Sequence, residues 1–128
     1  AIYMHSDCVY SESTVQTLKE MDQYAPRGED GHIFIAAIDG CSGNLALIRE
    51  GSTDQASGQP IPDFGSMVVE YIEKKLNGET IEAGTVVKDG ALWSPAQLVM
   101  TDVGFQLYLS TTDISINNVD NPGLWGNQ

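Results

Sequence analysis

Three places in the chain put a polar side chain directly after a run that reads as a strand: Ser6 and Asp7 after "AIYMH", Asp39 after "IFIAAI", and Gln59 in "GQP". A carboxylate accepts from two neighbouring hydroxyls through charge-assisted bonds, and a primary amide both donates and accepts. Such a set suits a polyhydroxylated ligand. The competing role is N-capping, which Ser and Asp perform routinely at helix starts, and spacing alone favours the cap. His5, beside Ser6, is a pocket-edge or packing residue.

Other chemistries fit less well. "GCSG" (Gly40 to Gly43) is G-x-x-G, neither the dinucleotide fingerprint nor a P-loop, and Asp39 would set a negative charge beside any phosphate. Cys41 or Ser42 at a strand-to-helix elbow, with His5 as base, would make a small α/β hydrolase, but G-x-S-x-G is absent. His32 opens a strand at the opposite end of the sheet from His5, so the two do not form a metal site; no metal or other cofactor is expected. Cys8 in "HSDC" and Cys41 in "IDGC" would lie within bridging distance if both follow neighbouring parallel strands; two small buried thiols are the alternative. Trp93 and Trp125 can stack on a sugar face, yet an indole in such a loop more often plugs a gap and bonds through its N–H, and that reading is favoured.

The formal charge of −12 comes from 18 acidic against 6 basic side chains, with no cationic cluster, which argues against nucleic acid as a partner. No apolar run approaches the roughly 20 residues of a membrane span. The 128 residues suffice for one domain with a core. The start at Ala1, already strand-like, suggests a fragment or processed chain.

The elements that would position these residues alternate. Ala1 to His5 reads as a strand, and Val15, Leu18 and Met21 mark an amphipathic helix that ends before Pro26. Ile33 to Ile38 is apolar throughout, as in a strand covered on both faces. Asn44 to Glu50 is a short helix stopped by Gly51. A short strand and a crossover stiffened by Pro60 and Pro62 come next, then the clearest helix: Asp63 as N-cap, Phe64, Val68, Tyr71, Ile72 and Leu76 as its apolar face, and Asn77 with Gly78 as a left-handed cap. Thr85 to Val87 is strand-like, Lys88 to Gly104 mixes turns with apolar residues, Phe105, Leu107 and Leu109 alternate as a strand, and the tail "NNVDNPGLWGNQ" is polar. Strand, helix, strand, helix is an α/β rhythm.

The ordered set "MHSD" after a strand, "IDG" after the next, then "GQP" and a helix closing in "LNGE" resembles the C-terminal portion of type I periplasmic sugar-binding proteins of ABC importers, the ribose-binding-like group whose fold the effector domains of LacI-type repressors share. The resemblance covers Ala1 to about Val87, and "NVDNPGLWGN" is similar to the ends of some sugar-importer proteins. It implies a three-layer Rossmann-like parallel sheet, a partial periplasmic-binding-protein type I fold. Residues 1–59 would finish the C-terminal lobe, 60–110 would revisit the N-terminal lobe, and 111–128 would form a return crossing and tail, with Lys88 to Gly104 an insertion.

The resemblance also implies a non-enzymatic receptor that binds a monosaccharide or polyol between two lobes. Its partner would be a membrane permease and its place the periplasm, or the lipid-anchored exterior of a Gram-positive cell. Asp39 would be the main hydroxyl acceptor and Gln59 a hinge-side contact. Ser6 stands where the family usually has Asn, and Asp7 tends to be structural in the family. The family's aromatic stackers come mostly from the lobe not present, so this chain alone would bind weakly or not at all, with an oligomeric contact or complementing chain supplying the missing strands. A LacI-type effector domain is the alternative.

Overall fold

In the computed structural model, which describes residues 1–128, the chain forms β1 (Ile2–Met4), α1 (Asp7–Glu20), β2 (Ile35–Asp39), α2 (Ser42–Glu50), β3 (Gln55–Gly58), α3 (Ile61–Leu76), β4 (Gly84–Val86), β5 (Ala96–Thr101), β6 (Gly104–Tyr108), β7 (Thr112–Ser115) and a final 3-10 turn at Trp125–Asn127. It divides into two compact units, Ala1–Gln59 with Thr112–Gln128, and Pro60–Thr111. The class is mixed α/β. No helix is long and apolar enough to cross a membrane.

The first unit is built on a sheet of order β1-β2-β3-β7, in which β1, β2 and β3 run parallel and β7 returns antiparallel on β3. Both β–α–β connections advance the same way across the sheet. Crossovers of one hand going one way lay their helices on one face. The alternation of side chains agrees: Ile35, Ala37, Ala56 and Ile114 are buried beneath α1 and α2, while Tyr3, on the opposite face, is 68% exposed. Phe34 is also largely exposed, and Ala36 and Ile38 are only half-buried.

The sheet is mixed rather than wholly parallel, because β7 returns antiparallel on β3, and within this unit α1 and α2 pack on the same face of it. α1 begins at Asp7, two turns before Val15, the first residue of its apolar spacing. α2 ends as expected on Gly51, whose φ of 80° suits glycine and whose N–H bonds to Ile48 O.

The tail is less polar in effect than its composition. Val119 and Leu124 are buried with Leu45 and Ile48 of α2, Ala56 and Ile114 in one core cluster. Each such side chain contributes about 1.5–3 kcal/mol by leaving water. Arg49 holds the same segment from outside, donating to Asp120 at 2.8 Å, Asn127 at 2.8 Å and Val119 O at 3.1 Å.

In the second unit, β4, β5 and β6 form an antiparallel sheet, so the stretch from Lys88 to Gly104 holds a full strand, β5. Its core is Met67, Trp93 and Ala96, with Val86, Ala91, Leu107 and Leu109 packed on it. α3 starts at Ile61, so Asp63 lies within the first turn and is not the N-cap; its carboxylate accepts the Trp93 indole N–H at 3.1 Å. Trp93 is thus a plug, as its loop position suggested. At the other end Gly78, at φ 74°, takes the left-handed conformation, while Asn77 stays helical. Met67 is the one buried residue of α3, whereas Val68, Ile72 and Leu76 of the apolar repeat stand exposed.

Candidate functional site

Parallel pairing brings the carboxyl ends of β1, β2 and β3 to one edge, and with them Ser6, Asp39 and Gln59. Ser6 Oγ donates to Asp39 Oδ2 at 2.6 Å. The Gln59 N–H donates to the Asp39 carbonyl at 3.0 Å, and so does the Trp125 indole N–H at 2.8 Å. Trp125 therefore acts as a plug that holds the end of β2. Asp39 itself sits at φ 111°, followed by Gly40 at 85°. Outside glycine such a backbone costs on the order of 1–3 kcal/mol and persists where the surroundings enforce it, most often at working sites.

Neither Ser6 nor Asp39 serves as a cap through its side chain, although Ser6 occupies the N-cap position of α1; Cys41 holds that position for α2. Asp7 instead holds the turn that leads into the neighbouring helix, α2. Its buried carboxylate accepts from Gly40 N–H at 2.8 Å, Cys41 N–H at 3.1 Å and Asn44 Nδ2 at 3.0 Å, and Thr53 Oγ1 in turn donates to Asn44 Oδ1 at 2.9 Å. Burial pushes the Asp7 carboxyl above its ordinary pKa, against the pull of these donors. Asp7 thus supports the edge from beneath. His5 is exposed and tilts against the Tyr10 ring, with centroids 5.2 Å apart.

Cys8 and Cys41 are joined by a disulfide, with Cα atoms 5.4 Å apart, an ordinary span for such a bond. A bonded Cys41 offers no thiolate, which removes it as a hydrolase nucleophile. The same bond leaves the cluster of Asp7, Cys8 and Cys41, whose donor atoms lie within 4.8 Å, without a thiolate for a metal.

Compared with known proteins, the chain matches no protein-family model and no curated protein.

Two features lay outside the candidate ligand-binding residues. At the opposite edge, Asp54 accepts Arg27 Nε at 3.1 Å, the Ile35 N–H at 2.8 Å and His32 Nε2 at 3.0 Å, while His32 Nδ1 faces Ala25 O at 2.8 Å. Arg27 also donates to Ile48 O and Thr53 O. Burial pushes Asp54 up, but the bonds from Ile35, His32 and Arg27 outweigh it and hold the carboxyl below its ordinary range. The Ala25 carbonyl first, then Asp54, hold His32 above its ordinary range against its burial. A charged pair this far from the carboxyl edge is a fastening for the Pro26 loop. The second feature is Gly126: a Cβ there would press on Gly40 O, Ser42 N and Cys41 C, so the tail lies against the Asp39–Ser42 turn as only glycine permits. Sequence signalled neither, since both are contacts between distant segments.

Proposed function

We propose that this chain is the C-terminal portion of a solute-binding component of an ABC importer, of the type I periplasmic-binding-protein fold, taking a monosaccharide or polyol at the carboxyl edge of β1, β2 and β3. The observation that carries the reading is Asp39. A non-glycine residue held at φ 111° by three hydrogen bonds presents a half-buried carboxylate of which Ser6 engages Oδ2 and no protein group engages Oδ1. Oδ1 is the acceptor for a ligand hydroxyl, and Ser6 orients the group. Gln59 supplies an amide at the end of the adjacent strand, and His5 lies at the rim. Asp7 is kept for support, because three donors already converge on it.

The disulfide supports an extracytoplasmic location, periplasmic or lipid-anchored outside a Gram-positive cell, since such bonds persist in oxidising compartments. That weighs against the LacI-type alternative. The strong net negative charge is of no use to a nucleic-acid binder.

A panel of pentoses, hexoses and polyols, titrated while amide NMR shifts are monitored, tests the reading. Saturable shifts at Ser6, Asp39 and Gln59 are expected, with at least tenfold weaker binding in Asp39→Ala. Unchanged affinity in that variant would show that the site is elsewhere.

A further inference from the structure

We propose that the Cys8–Cys41 bridge is a redox-responsive clamp on the Ser6–Asp39 pair, so that opening the bridge lowers affinity for the polyol; this rests on the sugar-binding reading of the same edge. Three successive residues on one strand end grip three on the next. Ser6 bonds Asp39, Asp7 takes the N–H groups of Gly40 and Cys41, and Cys8 is bonded to Cys41. The bridge lies two residues beyond the Ser6–Asp39 hydrogen bond on both strands. It is the only covalent cross-link between the two ends, and it closes next to the turn that carries the positive φ of Asp39 and Gly40.

The two cysteines differ in exposure. Cys8 is exposed on the first turn of α1, whereas Cys41 is half-buried at the N-cap of α2. A dithiol reductant therefore attacks Cys8 Sγ. The new sulfur–sulfur bond forms there, the Cys8–Cys41 bond breaks, and its electron pair leaves on Cys41 Sγ. That thiolate arises at the start of a nine-residue helix, where the dipole favours negative charge, against the nearby Asp7 carboxylate. The second thiol of the reductant then displaces Cys8, both protein sulfurs end as thiols with the reductant's protons, and the reductant departs as its disulfide. The hydrogen bonds of Ser6 and Asp7 then remain as the side-chain ties between the two ends, with Gln59 and Trp125 still bonded to the Asp39 carbonyl.

The test uses the full chain, oxidised in air and then reduced with dithiothreitol. No free thiols are expected before reduction and two after it; two before it would overturn the bridge. Hydrogen exchange should rise at least tenfold at the Gly40 and Cys41 amides on reduction, while the Ile35 amide, fastened to Asp54 at the other edge, stays unchanged. D-ribose, D-glucose and myo-inositol are titrated into both forms, and the best binder should weaken about tenfold in the reduced one. Equal affinity in the two forms overturns the clamp. Binding in neither form sinks the sugar reading and the regulatory role with it, and the exchange data then decide whether the bridge holds the strand ends. Cys8→Ser with Cys41→Ser should behave as the reduced protein without reductant; should that variant not fold, titration of the wild type with reductant gives the same comparison.

Discussion

Asp39 joins a backbone that glycine would adopt more readily to a side chain glycine lacks. Its φ of 111° and the Ser6 bond at 2.6 Å compete, because the first destabilises and the second repays only part of it. Asp39→Gly and Asp39→Ala separate the two. Both lose the carboxylate and so both should lose ligand binding. Only glycine relieves the backbone, so Asp39→Gly should be more stable than Asp39→Ala by about 1 kcal/mol, after allowing for the greater freedom of glycine when unfolded. Chemical denaturation measures this; an alanine variant of equal or greater stability would mean that the turn is unstrained. Gly126 offers a second check. Its neighbours Ser42 N and Cys41 C would stand 2.8 and 2.9 Å from an added Cβ, and both are backbone atoms that cannot swing aside. Gly126→Ala should cost about 1–3 kcal/mol, and a neutral result would show that the tail does not press on the turn.

The elements owe their placement to fastenings at both edges of the sheet. At the amino edge, both ring nitrogens of His32 face acceptors, so only the doubly protonated ring donates to Ala25 O and Asp54 together. With its pKa raised on folding, His32 contributes fully below about pH 6.5 and loses that contribution as pH rises through the folded value. Asp54, lowered on folding, contributes above about pH 3.9 and loses it as pH falls through its folded value. The fastening is therefore strongest between those limits. The melting temperature should fall from pH 6 to 9, and His32→Gln should flatten that slope while lowering stability by about 2 kcal/mol at pH 6. An unchanged slope in the variant would place the titration elsewhere.

At the scale of the whole molecule, the strongest sequence pattern led to the least buried helix. The stripe through Phe64, Val68, Ile72 and Leu76 repeats as a core face should, yet Leu76 is 80% exposed and Val68 60%. Val68→Glu and Ile72→Lys should accordingly leave the melting temperature within a degree or two, since they touch no core; a loss of several degrees would show that the stripe is covered in solution. The sequence by itself determined the order of the elements from Ile2 to Leu76, the stop at Gly51 and the placing of Ser6, Asp39 and Gln59 at strand ends, because periodicity, turn residues and strand polarity act over a few residues. It did not determine β7, the burial of Val119 and Leu124 in a polar tail, the pairing of Cys8 with Cys41, or the division of work between Asp7 and Asp39. Nor did it show that both helices share one face. Those outcomes depend on which distant segments meet and in which direction each crossover turns, and a residue's type and near neighbours carry no record of either.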